Sequence, residues 1–322
     1  ASSAASDVYK RQLLREAEQD AASKGVVGIR DYEMAENIDT WINRFAAGIN
    51  GLRVDAGVYP ERLRAAIDAG WHTGKELPGS AGLGHVGAMK LISDGSLNTR
   101  SAYCSTPYSG IEPLTYGTLS YTPQQIEDYM RLATEHGFDI ACHAIGDEAN
   151  TIALNAVAAT HAHGSIEHAQ MLKPVDIPRF AELGLTASIQ PQHAMDDRDV
   201  ITRFWANPAG IPYPFRALHD AGTTLRMGSD APVAPLDPWL AISAAVLGTE
   251  SSDREPFQPE QCLDVHTSLA ASTATGRDRL ASGDPADVVL LDADPYAADT
   301  PEAMRAMPQH VVMTLLCGER TY

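Results

Sequence analysis

The stretch GFDIACHAIGDEANTIALNAVAATHAHGSIEHAQ, residues 137–170, decides the fold. It holds an apolar run of strand length at 138–146, an alanine-rich run of helix length at 148–162 and a second strand-length run at 165–170. Strands that alternate with helices, and that are apolar along most of their length, indicate a parallel sheet covered by helices. The stretch therefore predicts one strand–helix–strand unit of such a sheet.

The same alternation continues toward both ends of the chain. It gives seven predicted strands, at 26–33, 51–59, 88–94, 138–146, 165–170, 185–194 and 223–232. A closed (β/α)8 barrel has eight strands, and this chain opens on a predicted helix, residues 11–23, with no strand before it. The predicted fold class is α/β: a TIM-type (β/α)8 barrel that lacks its first strand and retains strands 2–8.

Charge and hydropathy exclude several classes of partner. The net charge is −18, from 24 Lys+Arg against 42 Asp+Glu. A surface of that sign repels phosphate backbones, and no basic run offsets it, so we expect no nucleic-acid partner. No apolar stretch approaches the roughly 18–20 residues that span a bilayer, and the N-terminus lacks a signal-peptide pattern. We expect a small-molecule substrate and no membrane, and leave a homodimer open.

The cysteines indicate the compartment. Cys104, Cys142, Cys262 and Cys317 are far apart and show no C-x-x-C spacing. In a chain of this size such cysteines are typical of free thiols rather than of a disulfide framework. A reducing cytoplasm is the expected location.

Four chemistry-bearing side chains lie on or at the ends of predicted strands: Lys90, His143, His168 and Asp230. In a parallel barrel the carboxyl ends of the strands converge on one face, so these four side chains are expected to meet in one pocket. Such a set predicts metal-assisted hydrolysis.

Each of these residues also has a structural alternative. A lone histidine is often a hydrogen-bonded core residue, and Asp230 is placed to cap the next helix. Lys90 inside an apolar strand can be a buried ammonium paired with Asp94 or Asp230.

Six phrases in fixed order extend the argument to a family: KLISDGSLNTRSA, HAIGDEAN, IEHAQML, SIQPQHA, GSDAPVAPLDPW and GDPADVVLLDADP. From about residue 25 to its end the chain resembles the YtcJ-like branch of the metal-dependent amidohydrolase superfamily, amidohydrolase family 3. The resemblance implies a (β/α)8 barrel with a small β-sandwich built from both chain ends. It also implies hydrolysis of amide or cyclic-amide C–N bonds with one or two divalent metals, such as zinc.

The resemblance assigns roles to the four strand residues. His143 and His168 match the family's pair of histidine ligands at successive strand ends. Asp230 matches the carboxylate that binds metal and takes the proton of the attacking water. Lys90 matches a lysine that is a metal ligand and, in many members, is carboxylated by CO2.

Three further residues are weaker candidates. Ser96 and Arg100 lie in the loop after the predicted strand 88–94 and are predicted to bind substrate, with a purely structural loop role equally open. His193 ends the predicted strand 185–194 and is predicted to bind substrate and polarise a carbonyl. Its alternative is an ordinary loop histidine.

Other polar residues near these strands are predicted to support the site or to lie outside it. Asp147 and Glu148 follow His143 and are predicted to support the site or the start of the next helix. His161 and His163 form an H-x-H pair, but they end an alanine-rich helix, whereas the family's pair lies on the first barrel strand. They are predicted to be exposed and not to bind metal.

The predicted organisation has three parts: a leader of non-native sequence at 1–12, the barrel at 13–275 and a β-sandwich remnant at 276–322. No H-x-H pair precedes Lys90, so we expect an N-terminally truncated family member that binds at most one metal weakly. Two other functions stay open: a barrel lyase that forms a Schiff base at Lys90, and a catalytically inactive fragment.

Overall fold

The structure is a computed structural model that describes the backbone of residues 2–322 and the side chains of residues 8–322. The strands of this part of the chain are β1 Gly28–Asp31, β2 Arg53–Val58, β3 Gly84–Ile92, β4 Ile140–Ala144, β5 Gly164–His168, β6 Met171–Leu172, β7 Thr186–Ile189, β8 Ile211–Pro212, β9 Thr224–Met227, β10 Val288–Leu291, β11 Val311–Leu316 and β12 Glu319–Arg320.

Helices cover the sheet and connect its strands. They are α1 Ser2–Ser23, α2 Asn37–Ala46, α3 Pro60–Asp68, α4 Pro123–Glu135, α5 Asp147–Thr160, α6 Ile177–Glu182, α7 Pro191–Phe204, α8 Phe215–Asp220, α9 Pro238–Leu247, α10 Val265–Ser272 and α11 Pro301–Arg305. None of the helices in this described part combines the length and the apolarity needed to cross a membrane.

One parallel sheet organises the molecule. Its hydrogen-bonded order is β1-β2-β3-β4-β5-β7-β9, and every neighbouring pair is parallel. Within residues 2–322 no hydrogen-bonded pairing joins β1 to β9, so the sheet is a half-barrel with two open edges. The predicted α/β fold, a TIM-type barrel that lacks its first strand and keeps seven parallel ones, is confirmed.

The stretch at 137–170 folds as the predicted strand–helix–strand unit. Gly137, with φ of +75°, separates α4 from β4, and glycine adopts that conformation without a steric penalty. In the register of β4 and β5, His143 lies opposite Glu167 and Ala144 lies opposite His168. The two histidines therefore reach the same end of the sheet, one residue apart in level.

The core lies between the sheet and its helices. Because strands and helices both contribute completely buried apolar side chains, the sheet is held against the helix layer by hydrophobic burial. Its largest members include Leu63, Leu77, Met89, Leu91, Ile126, Met130, Ile140 and Phe180.

The C-terminal strands form a separate antiparallel sheet in the order β10-β11-β12. Three short strands need a partner surface, and here α1 provides it: Thr314 Oγ1 donates to the carbonyl of Ala22 over 2.7 Å. A second apolar cluster joins Trp239 and Ile242 of α9 to Met304 and Met307. The predicted domain limits and the sandwich remnant stay predictions. So does the leader at 1–12, of which residue 1 lies outside the described residues.

Two of the predicted strands end five residues early, which moves two candidate site residues out of the sheet. The strand predicted at 185–194 ends at Ile189, because Pro191 begins α7, and proline is favoured in the first turn of a helix. The strand predicted at 223–232 ends at Met227, and Asp230 lies in the following loop. His193 is therefore a helix residue, and Asp230 is a loop residue.

Candidate metal centre

Three side chains from separate elements converge at the carboxyl end of the sheet. His168 ends β5, His193 lies in the first turn of α7, and Asp230 lies in the loop after β9. One ligand atom from each, an imidazole nitrogen or a carboxylate oxygen, lies within 4.8 Å of the other two. Two imidazoles and a carboxylate at this spacing form a donor set that suits one divalent metal.

His143 extends this cluster. Its ring lies edge-on to that of His168, with centroids 4.5 Å apart and an interplanar angle of 69°. The ring of His193 stacks on that of His168 at 6.1 Å and 14°. His168 thus packs against both other histidines, and strands β4 and β5 and helix α7 each contribute one imidazole.

The backbone is strained where it presents two of these side chains. His168, Ala169 and Asp230 have positive φ angles of 75°, 45° and 54°. For residues other than glycine this conformation costs on the order of 1–3 kcal/mol, and such residues concentrate at functional sites. The strain supports a functional reading of the cluster.

Burial determines the charge state of the imidazoles. Burial, assisted by the positive charge of Lys90, lowers the pKa of His143 to about 3. Burial also puts the pKa of His168 well below its ordinary value, with His143 and Lys90 acting in the same direction. Both rings are therefore neutral at pH 7, which is the form that binds zinc.

Asp230 has a raised pKa. Burial is the main cause, and the charges of His193 and Lys90 oppose it. The helix that follows begins at Pro238 and is capped by Asp237, whose side chain accepts from the backbone N–H of Trp239 over 2.9 Å. The capping alternative for Asp230 is therefore wrong.

Lys90 is a buried lysine, 7% exposed, on β3. Its Nζ lies 5.0 Å from the ring centroid of Tyr32, and its charge acts on His143, His168 and Asp230. Among the described residues it forms no ion pair with a carboxylate, so the paired alternatives considered for it are not found. Its assignment as a metal ligand stays a prediction.

The residues present fit a divalent metal. His168 Nδ1 and His193 Nε2 are buried and have no hydrogen-bond partner among the described residues. A buried polar atom without a partner costs about 1–3 kcal/mol. An unprotonated ring nitrogen can instead donate its lone pair to a metal, which removes that cost.

Asp94 is a site residue that the sequence offered only as an alternative partner of Lys90. It is 1% exposed, and its Oδ1 lies 3.4 Å from His143 Nε2 rather than against Lys90. Burial raises the pKa of Asp94 to about 7, and backbone N–H donors, chief among them that of Gly146, oppose the rise. The available signal was its place at the carboxyl end of the apolar run at 88–94.

The structure does not bring every predicted residue to the cluster. Ser96 contacts Thr99 Oγ1 over 2.9 Å within its own loop. Arg100 is exposed and lies over Phe204, with Cζ 5.5 Å from the ring centroid. Phe204 is eleven residues beyond His193 on α7, or about 16 Å along a helix. Substrate binding by Ser96 and Arg100 stays a prediction.

The remaining polar candidates lie beside the cluster or away from it. Asp147 is fully buried and accepts from the backbone N–H of Ser105 over 2.9 Å, while Glu148 forms an ion pair with Lys173. His161 and His163 are exposed and precede β5, at the opposite end of the strand from His168.

Sequence comparison identifies the family to which this geometry belongs. A family model described as "Amidohydrolase family" matches residues 2–322. The chain belongs to the amidohydrolase family. Within that family, YtcJ of Bacillus subtilis (strain 168) is 29% identical over 317 residues, covering 90% of this chain and 58% of that protein. The N-substituted formamide deformylase of Arthrobacter pascens is 25% identical over 240 residues, covering 67% of this chain and 42% of that enzyme.

Solved structures agree with the assignment to the amidohydrolase family. An uncharacterized metal-dependent hydrolase from Pyrococcus horikoshii OT3 superposes with a TM-score of 0.66 at 26% identity, covering 78% of this chain and 50% of that chain. The chain thus spans about half the length of the relatives it matches. The sequence-based family resemblance is confirmed.

Proposed function

We propose that this amidohydrolase-family chain contributes a divalent-metal site to the hydrolysis of non-peptide C–N bonds in amides or cyclic amides. The convergence of His168, His193 and Asp230 within 4.8 Å carries the proposal. Two unpartnered buried ring nitrogens in that set support it. The bond class draws on the family and on the relative named N-substituted formamide deformylase.

Zinc is the proposed metal. His168, His193 and Asp230 would hold it, with His143 as a further ligand and a carboxylated Lys90 as an optional one. Nitrogen and carboxylate donors suit zinc. When bound, such a metal lowers the pKa of water toward neutrality and polarises a carbonyl, which supplies the nucleophile and the electrophile of hydrolysis.

Asp230 is the proposed base. It is the carboxylate of the donor set, and a carboxylate can take up and release the proton of the attacking water. Neighbouring groups surround one side of Asp230, while its other side is open to solvent, so a substrate can approach it. The alternative role proposed for His193 is to donate a hydrogen bond to the carbonyl oxygen of the substrate.

Metal content separates the proposed function from its alternatives. Elemental analysis of the chain in equilibrium with zinc should find about one weakly held zinc per chain, and His168→Asn should remove it. Turnover is then tested with simple N-acyl and N-formyl amines. A chain that holds no zinc but is trapped on Lys90 by borohydride with a carbonyl substrate would be a Schiff-base lyase. A chain that neither holds zinc nor is trapped by borohydride would be the catalytically inactive alternative.

The proposed setting is a reducing cytoplasm with a small-molecule substrate and no nucleic-acid or membrane partner. Four free cysteines in the described chain support the reducing compartment. A homodimer stays open, and size-exclusion chromatography with light scattering decides it.

A further inference from the structure

The carboxylate of Asp94 is surrounded by donors. Its Oδ2 accepts from the backbone N–H groups of Tyr103 over 2.8 Å and Gly146 over 2.9 Å. Its Oδ1 accepts from the N–H of Ile145 over 3.1 Å and lies 3.4 Å from His143 Nε2. Two carboxylate oxygens can accept from all four groups, whereas an amide has only one accepting oxygen.

The same contacts determine which ring nitrogen of His143 carries the proton. Its Nε2 faces the Asp94 carboxylate and also lies 3.5 Å from the carbonyl oxygen of Gly95. Three backbone N–H donors favour the charged, accepting form of Asp94, and the Gly95 carbonyl accepts whatever the charge of Asp94. A ring nitrogen that faces these acceptors carries the proton, so a neutral imidazole here leaves Nδ1 unprotonated. Only an unprotonated nitrogen can bind a metal.

Asp94 also holds the long segment 95–121 in place. The N–H of Tyr103 that it accepts lies in the middle of that segment, and the backbone of Asp94 forms an isolated antiparallel bridge with Leu119 near its end. The N–H groups of Ile145 and Gly146 belong to the turn between β4 and α5. One buried side chain thus joins the ends of β3 and β4 to the segment beside them.

We propose that Asp94 is a positioning residue that sets the tautomer of His143, leaving its Nδ1 open for a metal, and that fixes segment 95–121 against it. This inference rests on the proposed function for its consequence, since the lone pair on Nδ1 matters only if His143 binds a metal. The tautomer itself is a property of the metal-free chain.

Replacement of Asp94 by asparagine should invert that tautomer. The two shortest hydrogen bonds go to Oδ2, so the single carbonyl oxygen of the new amide takes that position and its NH2 group faces His143 Nε2. The Gly95 carbonyl still faces Nε2 in the variant, but a donor opposite Nε2 competes with it and favours the proton on Nδ1, as replacing a histidine-orienting aspartate by asparagine is known to do. Nδ1 is then closed to a metal.

Asp147 supplies a matched control. It is equally buried and anchors the same segment through the backbone N–H and the hydroxyl of Ser105. It has no contact with His143 among the described residues. Asp147→Asn should therefore loosen segment 95–121 and leave the tautomer of His143 unchanged.

The test uses the full chain labelled with 15N-histidine. Long-range proton–nitrogen correlation spectra of the metal-free protein report which ring nitrogen is protonated, and His143→Gln assigns the signal. We expect protonated Nε2 in the wild type and in Asp147→Asn, and protonated Nδ1 in Asp94→Asn. Zinc affinity should fall about 10–100-fold in Asp94→Asn alone, as for the loss of a partner that orients a ligand.

Three results overturn the proposal: a wild-type His143 protonated on Nδ1, an Asp94→Asn variant that keeps the wild-type tautomer, or the same inversion in Asp147→Asn. If Asp94→Asn does not fold, the wild-type spectrum still shows which ring nitrogen of His143 is protonated and so can overturn the proposal. If the wild type binds no zinc, the proposed function fails. The tautomer comparison is still valid, because it is made on the metal-free protein.

Discussion

The two ends of the half-barrel hold histidines in opposite environments. At the carboxyl end His168 and His193 are 6% and 7% exposed and contribute to one donor cluster. At the amino end His161 and His163 have the H-x-H spacing of a metal motif, yet both are exposed. Convergence from separate elements and removal from water, more than spacing along the chain, distinguish the candidate metal site.

The amino end of the sheet also carries a cleft. A cleft of about 400 Å³ opens at the amino end, lined by residues that include Thr73, Asp139, Ser165 and Thr186. None of its lining residues belongs to the histidine cluster or to Asp230. This cleft and the donor cluster therefore lie at different ends of the described sheet, and the following variants test the contrast between the two ends.

The largest difference is expected for turnover. Asp230→Asn removes the proposed base and should lower zinc-dependent hydrolysis of N-acyl amines about 10²–10⁴-fold, the usual contribution of general base catalysis. Asp139→Asn makes the same change in an exposed residue at the amino end and should leave the rate unchanged. Steady-state kinetics of both variants make the comparison, and an equal loss in both would refute it.

The second-largest difference between the two ends is expected for zinc affinity. Structural zinc sites release about 10–16 kcal/mol through four ligands, so one ligand accounts for about 3 kcal/mol, or roughly 100-fold in affinity. His168→Asn should weaken binding by that factor, and His163→Asn should not change it. Isothermal titration of zinc into the metal-free variants measures both. Weaker binding in His163→Asn would move the site to the other end of β5.

Zinc should also protect the two ends unequally. At a free zinc concentration one hundred times the dissociation constant, binding stabilises the native state by about 2.7 kcal/mol. Hydrogen exchange should slow most in the amides around His143 and His168 and least around Gly164 and Thr186. Uniform protection of both ends would mean that zinc stabilises the whole fold without a preferred site.

The smallest effect concerns an ion pair at the amino end. Arg53, at the start of β2, donates from Nη2 to Asp287 Oδ1 over 3.1 Å. Burial alone would raise the pKa of Asp287, but the hydrogen bonds from Arg53 and from the N–H of Cys317 outweigh it and lower the pKa. Asp287→Asn should cost about 1 kcal/mol of unfolding free energy at pH 7, because the pair is partly exposed.

The sign of its pH dependence follows from the lowered pKa. The folded state binds a proton at Asp287 less readily than the unfolded state, so the pair stabilises the fold above about pH 4 and loses that effect as the pH falls through the folded pKa. The difference between wild type and Asp287→Asn should therefore vanish at low pH. Urea unfolding at several pH values measures it, with Glu319→Gln, an exposed carboxylate on β12, as the control.

Most of the barrel could be predicted because strand-length apolar runs and helical runs alternate along the chain. Helix α4 shows how local the signal is: Thr122 accepts from the backbone N–H of Gln125, and the Gln125 side chain accepts in return from that of Thr122. Helix α2 was missed, although Trp41 and Phe45, four residues apart, form its buried face. In α7, the proline at its start was the overlooked signal.

The candidate site was predictable only in part. Strand ends identified His143, His168 and Asp230 as neighbours, because parallel strands bring their carboxyl ends together. The inclusion of His193 in the donor cluster depends on where α7 begins, and the contact of Asp94 with His143 depends on side-chain directions. Both depend on tertiary structure, which residue spacing along one strand does not reveal.

The meeting of α1 with the last strands constrains the order of folding. Thr314 and Ala22, 292 residues apart in sequence, share a hydrogen bond, and Gln19 donates to the carbonyl of Thr321 across 302 residues. Contacts of such separation form late, because almost the whole chain must be ordered as their loop. During synthesis Ala22 of α1 is made 292 residues before Thr314, so α1 has no C-terminal sheet to pack on until those residues have followed. Until then the face of α1 that this sheet covers is open to water and to chaperones.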